Sequence, residues 1–265
     1  MSSYFGLFKM TFKGELQYRA KAISGVATQL FWGLMYVYLY TAFMGGKVIE
    51  GFSIPQMASY IWIGQAFFVL RYIDLPQGCG KEIENGNVCY KFVKPLDLYN
   101  QWYCEHLGYK ISATLLRFLP IVIISLFLPK NIGLMLPSTP VSFILFILAL
   151  TLGALLTSAF SMIGVFLTFK TLSPNGIRNI MNIVIGILGG TYIPLPLMPK
   201  PIQNVLSYLP FRFVSDLASR IYIGNIAPMQ AIKFILIGFA WLIVLVILGK
   251  FLIARASKKA IVQGG

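Results

Sequence analysis

Residues 140–169 read PVSFILFILALTLGALLTSAFSMIGVFLTF, a run that contains no charged side chain. A hydrocarbon core of about 30 Å is crossed by about 20 apolar helical residues. The run is longer than one straight crossing needs, so we expect it either to protrude from the bilayer or to bend near Gly153 or Gly164. Such a sequence predicts a membrane-spanning helix.

Five other apolar stretches are also predicted to span the membrane. Of all residues, 57% are hydrophobic and only 11% are charged, whereas soluble domains carry about 25% charged residues. This composition excludes a soluble enzyme, a disordered segment and a disulfide-rich secreted module. We predict an all-α polytopic membrane protein in which residues 1–265 form a single transmembrane domain. Its predicted spans are 23–44, 54–75, 108–128, 140–169, 177–193 and 230–254.

The distribution of lysine and arginine predicts the orientation. The chain has 22 such residues against 8 acidic ones, a formal net charge of +14. With six spans, fifteen of the basic residues lie on the side of both termini and six on the other. The positive-inside rule therefore predicts that both termini are cytoplasmic. We expect the protein to lie in the inner (plasma) membrane of a bacterial cell. These residues are expected to contact lipid headgroups, and no basic cluster with stacking aromatics suggests a nucleic-acid partner.

The segment before the first span predicts an interfacial helix rather than a cleavable signal. Its basic residues continue to Lys21, and the apolar run that follows has the length of a full span. Phe5, Phe8 and Phe12 share one helical face, and Lys13 turns toward the headgroups.

Residues for catalysis or metal binding are not evident. Cys79, Cys89 and Cys104 fall in the predicted loop between spans two and three, at spacings that no metal signature uses, and His106 is the only histidine. We predict no metal site and no catalytic residue. No GxxxxGK[ST] motif occurs, so we expect this chain to bind no ATP and no other cofactor.

One acidic residue, Asp74, is predicted at the end of a span. Acidic groups inside a bundle are costly and often functional. Asp74 lies three residues after Arg71, so we expect the two side chains to neutralise each other at the interface. A gate or proton relay is the alternative.

Two polar or proline-rich segments outside the spans carry further information. The loop 76–107 contains EIENGNVCYKFVKPLDLY (82–99), whose mixed charged and apolar residues suit either a docking surface or an ordinary solvated loop. The outer segment 194–229 begins PLPLMPKPIQNVLSYLPF (194–211), in which five prolines bracket a stretch too short to span. We expect it to re-enter the membrane or lie on it, and a stiff connecting loop is the alternative. The residues that we assign to this outer segment are Pro194, Pro199, Leu206, Tyr208 and Pro210.

This layout resembles the permease subunit of type 2 ABC transporters, and in particular the branch in which two related six-span permeases accompany a separate ATPase. Residues 82–99 are similar to the family's coupling helix after span two, with Gly86–Val88 and Lys94–Pro95 at its characteristic steps. Residues 194–211 resemble the family's paired outer helices. Cys89, Tyr90 and Lys91 depart from the usual pattern of the coupling loop.

The resemblance implies two protein partners besides the lipid bilayer, an ABC ATPase that carries ATP and Mg²⁺ and a second permease, paralogous or identical. It implies ATPase docking through a coupling helix, with Ile83 and Phe92 as apolar anchors. The residues assigned to this docking are Glu82, Ile83, Glu84, Gly86, Val88, Phe92, Lys94 and Pro95.

Within the bundle, Gly186-x-x-x-Gly190 predicts close helix contact, either at the permease–permease boundary or in ordinary packing. Gln29, Gln65, Asn179 and Asn182 are polar residues in predicted spans. They face either a translocation pathway or neighbouring helices.

Together these features predict a non-enzymatic permease subunit of an ATP-driven exporter, forming half of the pathway for a drug, antimicrobial peptide or other amphiphile. A self-sufficient channel or secondary transporter is one alternative. A non-transporting assembly or sensor subunit is another.

Overall fold

The computed structural model describes residues 2–49, 51–93 and 95–263. In these ranges the chain is helical, with no strand beyond an isolated bridge between Ile49 and Phe52, which confirms the predicted all-α class. A 3₁₀ turn covers Leu195–Leu197. The helices are α1 (Ser2–Glu15), α2 (Arg19–Met44), α3 (Ile54–Ala66), α4 (Phe68–Arg71), α5 (Cys79–Glu84), α6 (Cys89–Phe92), α7 (Leu98–Phe127), α8 (Pro140–Thr171), α9 (Pro174–Leu188), α10 (Lys200–Leu206), α11 (Arg212–Tyr222) and α12 (Pro228–Gln263).

Four of the described helices, α2, α7, α8 and α12, are long and apolar enough to cross a membrane. α8 is one uninterrupted helix, and its 32 residues correspond to about 48 Å at ~1.5 Å per residue, more than the ~30 Å hydrocarbon core. Gly153 has a different role in α8, because a Cβ there would lie 3.0 Å from the carbonyl oxygen of Phe213. This glycine allows α11 to pack directly against α8.

The predicted second and fifth spans are shorter than expected. Span 54–75 becomes the 13-residue α3 and the single turn α4, separated by a break at Phe67. Residues Met57–Ala66 are all buried inside the protein, so α3 lies at the centre of the bundle. Span 177–193 becomes the 15-residue α9, which ends before Gly190 because that residue adopts a positive φ of 80°.

The third predicted span begins about three turns early. The Asp97 side chain accepts a hydrogen bond from the Asn100 amide at 2.8 Å and caps α7 at Leu98 rather than near residue 108. Cys104 and His106, which we expected in a loop, therefore lie in α7. His106 is buried with its Nδ1 3.0 Å from the Ser158 hydroxyl.

Contacts between loops define two ends of the bundle. At the end that holds α5 and α6, which we call the hairpin end, the Glu15 carboxylate binds Lys21 at 3.0 Å and Gln77 at 3.1 Å. At the far end, the Gln56 side chain donates to the Ile223 carbonyl at 3.3 Å. A Cβ on Gly249 would lie 2.7 Å from the ring of Tyr99, so α12 returns to the hairpin end.

The N-terminal helix packs on the bundle at the hairpin end. A Cβ added to Gly108 would lie only 2.6 Å from the carbonyl oxygen of Phe8, so α1 crosses α7 in backbone contact. Phe5, Phe8 and Phe12 stack in a row along α1. The predicted aromatic face is present, and α1 is attached to α7 as well as amphipathic.

Candidate functional site

The segment after α4 forms a helical hairpin, residues 79–93, made of α5 and α6. Gly86 takes a positive φ of 71° in the turn between them, a conformation that favours glycine. Both helices of the hairpin precede Pro95, and the next helix, α7, begins after it at Leu98. Lys94, an assigned docking residue, lies outside the described residues.

One apolar cluster fixes this hairpin to the bundle. Cys79, Ile83 and Val88 are buried against side chains of three long helices. Burial raises the pKa of the Cys79 thiol, so it stays protonated and unreactive at neutral pH. The hairpin is thus packed against all three helices. Their contributions to the cluster are Tyr99 and Trp102 from α7, Met162 and Val165 from α8, and Ile253 from α12.

Lys91 joins the two halves of the hairpin to α7. Its ammonium group lies 3.2 Å from the Glu82 carboxylate and 3.7 Å from that of Glu105. It also lies 5.5 Å from the centre of the Trp102 ring, within cation–π range. These contacts hold α5, α6 and the first turns of α7 as one unit.

The outer face of the hairpin differs from the one we expected. Ile83 is only 4% exposed and Phe92 packs partly on the same cluster, so Ile83 is not a surface anchor. Both side chains turn inward because they cover the ends of α7 and α8. The exposed apolar residues are Tyr90 and Val93, at 72% and 85%. Among the other assigned residues, Glu84, Gly86 and Pro95 are exposed, whereas Val88 is buried.

The predicted glycine pair does not form a helix-packing motif. Gly190 lies beyond the end of α9. Gly186 is on α9, but a Cβ there would lie 2.3 Å from the ring of Tyr192 in the same chain. The two glycines allow the chain to turn back after α9, so they do not present a common face to a second subunit.

A small cavity of about 100 Å³, the central pocket, lies between α4, α9 and the turn after α9. Of the four predicted pathway residues, only Asn182 lines it. Its amide is bonded to the backbone of Ile73, as donor at 2.6 Å and acceptor at 2.8 Å. Gln29 and Gln65 are buried within the bundle, and Asn179 is exposed. The lining residues are Phe68, Arg71, Tyr72, Asn182, Ile185, Gly186, Thr191 and Tyr192.

Asp74 does not pair with Arg71 as predicted. Its carboxylate lies 3.9 Å from the guanidinium of Arg178 on α9. Arg71 lies against Gly64 instead, where a Cβ would be 2.9 Å from its Nη1. Asp74 and Arg178 line a cleft of about 400 Å³ at the hairpin end.

Comparison with known protein families determines the family to which the chain belongs. The model of the ABC-2 family transporter proteins matches residues 30–264, which is most of the chain. The chain belongs to the ABC-2 transporter family. The match confirms the predicted family resemblance and, with the four long apolar helices, indicates a membrane-embedded permease subunit. No curated protein matches the sequence.

The outer segment of this ABC-2 permease is folded into the far half of the bundle. Pro194, Leu206 and Pro210 are buried, whereas Pro199 and Tyr208 are exposed. The Tyr208 carbonyl accepts a hydrogen bond from the Trp241 indole at 2.8 Å, which joins this segment to α12. The following helix, α11, is buried at ten of its eleven positions.

A buried charge cluster on α11 was not predicted. Asp216 is fully buried, and its carboxylate lies 3.0 Å from Arg212, 3.8 Å from Arg220 and 3.0 Å from the hydroxyl of Tyr60. We counted both arginines as surface charges and took Asp74 as the only acidic candidate in the bundle, which was wrong. The spacing of Arg212, Asp216 and Arg220, four residues each, places them on one helical face and was the available signal.

Proposed function

We propose that this ABC-2 permease forms half of the translocation pathway of an ATP-driven exporter and is driven by a separate ATPase that docks on the hairpin. The observation that carries the proposal is the division of the hairpin into two faces. Its inner face is buried on α7, α8 and α12, while its outer face exposes Tyr90 and Val93. An ATPase bound to the outer face would move three helices of the bundle at once.

The proposed topology has six spans with both termini in the cytoplasm. Two short passages, α3 with α4 and α9, would complete the four long helices. α1, the hairpin and the last turns of α12 lie at the same end of the bundle, which supports placing both termini on the hairpin side. An ATPase that docks on the hairpin needs ATP, so we assign this side to the cytoplasm. The excess of basic residues on this side is consistent with it.

A second permease is proposed to cover the face formed by α2 and α9. Both helices are poorly covered within this chain and carry large exposed apolar side chains. A paralogous subunit and a second copy both fit this face. The exposed residues are Phe31, Met35, Tyr38 and Leu39 on α2, and Ile180, Ile183, Val184 and Ile187 on α9.

The alternative functions, a secondary transporter and an assembly or sensor subunit, require different structural features. A secondary transporter needs an acidic group that can exchange ions, but Asp216 is held by two arginines. An assembly or sensor subunit would not need a hairpin fixed to three spans, and transport would survive its disruption. Export of a drug, antimicrobial peptide or other amphiphile remains the proposed activity.

Labelling of cysteines tests the orientation that ATPase docking requires. In a Cys104→Ser background, Cys89 is expected to react with a membrane-impermeant maleimide only in inside-out vesicles, because it is exposed on the hairpin. Cys79 should stay unlabelled, because burial raises the pKa of its thiol and only the thiolate reacts. With Cys89 replaced by serine, a Tyr208→Cys variant should react only in intact cells.

The proposal requires that Cys89 is labelled only from the cytoplasmic side and that position 208 is labelled only from the outside. Labelling of Cys89 from outside the cell would place the hairpin where no ATPase can reach it and would contradict the proposed function. Labelling of both positions from one side would contradict the six-span topology.

A further inference from the structure

An arginine without a partner lines the central pocket. The Nε atoms of Arg71, Arg117 and Arg178 are buried and make no hydrogen bond within the part of the chain that the structure describes, and of these three arginines only Arg71 lines the central pocket. The acidic residue nearest in sequence, Asp74, binds Arg178, and the buried Asp216 binds Arg212. Buried charges in proteins are normally paired. The missing counter-charge at Arg71 indicates a place for an anion from outside the chain.

The size of the pocket limits what that anion can be. Its volume of about 100 Å³ is well below the ~300–1,000 Å³ typical of pockets for drug-sized ligands. This suits a carboxylate, sulfonate or phosphate group and excludes a complete drug-sized molecule. Phe68, Tyr72 and Tyr192 line the same pocket as Arg71 and give it aromatic walls.

A row of aromatic side chains leads along α2 from the edge of this pocket. Trp32, Tyr36 and Tyr40 stack with ring centres 5.8 and 6.2 Å apart. The Tyr40 hydroxyl donates to the carbonyl of Tyr192, a pocket residue, at 2.6 Å. The row continues along α2 to Trp32, which is exposed in this chain and contacts Phe31 at the edge of the face proposed for the second permease. An apolar tail attached to the bound anion has a surface to lie on.

We propose that the central pocket binds the anionic head group of an amphiphile through Arg71, with its tail along the aromatic row of α2. The proposal rests on the proposed function, because a permease pathway is the reason for an amphiphile to enter there. It selects the anionic class from the broader range of cargoes. A cationic amphiphile would meet an uncompensated positive charge and would be repelled.

Binding of a charged probe and its neutral twin tests the proposal. The complex is purified with its partners into phosphatidylcholine nanodiscs, and the fluorescence of 11-(dansylamino)undecanoic acid is titrated against that of its methyl ester. The acid is expected to bind the wild type about tenfold or more tightly than the ester, since the charge-assisted hydrogen bonds of Arg71 are available only to the acid. Arg71→Gln should remove this difference.

Two further variants keep the test valid if Arg71→Gln fails to fold. Arg71→Lys retains the charge without the planar fork, so part of the preference for the acid should remain. Gly64→Ala keeps Arg71 but places a Cβ 2.9 Å from its Nη1, so the guanidinium must move and the acid should bind more weakly. Arg117→Gln is the matched control, because Arg117 lies against Gly25 in the same way but does not line the pocket.

Competition by phosphatidylglycerol added to the nanodiscs identifies the source of the anion. If it competes with the acid, the anion comes from the bilayer, and if it does not, the anion is a cargo. Both results support an anion site at Arg71. Equal affinity for acid and ester, or equal losses in Arg71→Gln and Arg117→Gln, would overturn the proposal. Recovery of an ATPase with the wild-type chain is read in the same preparation, so failure of the proposed function is seen independently of failure of the pocket.

Discussion

Replacing Tyr90 and Val93 together with aspartate is expected to weaken binding of the ATPase by about three orders of magnitude, with normal insertion and folding of the permease. Both side chains are exposed on the hairpin and contribute little to its internal packing. A hot-spot residue in an interface contributes about 2 kcal/mol or more. Two charges in an apolar contact therefore cost about 4 kcal/mol, which is ~10³-fold in affinity. The measurement is titration of purified ATPase onto the permease in nanodiscs.

Two control variants show whether the effect belongs to the hairpin surface. Val48→Asp changes a residue that is 68% exposed at the far end, and ATPase binding should be unchanged. Ile83→Asp introduces a charge into the cluster beneath the hairpin, and the protein should misfold. If the Tyr90 and Val93 double variant still binds the ATPase with wild-type affinity, docking on this face is excluded.

The Asp216→Asn variant is expected to lose most of its folded protein. The substitution leaves Arg212, which is only 2% exposed, without the carboxylate 3.0 Å away. Removing one partner of a buried ion pair costs about 3–5 kcal/mol, a large part of the ~5–15 kcal/mol that stabilises a typical domain. We expect α11 to detach from α8. Thermal unfolding and the monodisperse fraction on size-exclusion chromatography measure the loss.

Removal of both charges provides the internal comparison. Arg212→Met combined with Asp216→Leu should recover much of the stability, because the almost fully buried Arg212 and Asp216 charges are removed together and only the partly exposed Arg220 loses a carboxylate neighbour. Arg220 can then remain bonded to Asn225, with its Nε 2.8 Å from the amide oxygen. Asp97→Asn, at an exposed cap, should cost about 1 kcal/mol or less. Wild-type stability of Asp216→Asn would show that the cluster does not hold α11 in place.

The sequence predicted the features that follow from the bilayer as a solvent. The charge-free run of α8 and the apolar stretches of α2 and α12 must be helices of span length, because lipid leaves no other way to satisfy their backbone groups. The position of the hairpin between α4 and α7 followed from the composition of the loop and from the family resemblance. These signals are local, so they can be read without knowing which helices touch.

The features that were missed depend on the direction in which a side chain points once the helices have packed together. Ile83 has the same local sequence whether it points to the bundle or to a partner, and only the ends of α7 and α8 beneath it determine the direction. The length of α3 is set by its burial at the centre of the bundle rather than by its hydropathy. Asp216 looked like a surface charge, because its partner Tyr60 is far away in the sequence.

The measurement that tests the central claim most directly is native mass spectrometry of the tagged wild-type chain, purified from its own host in mild detergent. We predict recovery of a P-loop ATPase at about one copy per permease, together with a second permease, either a paralogue or another copy of this chain. Recovery of this chain alone, or only with itself, from membranes in which it is folded would contradict the claim that an ATPase drives it through the hairpin.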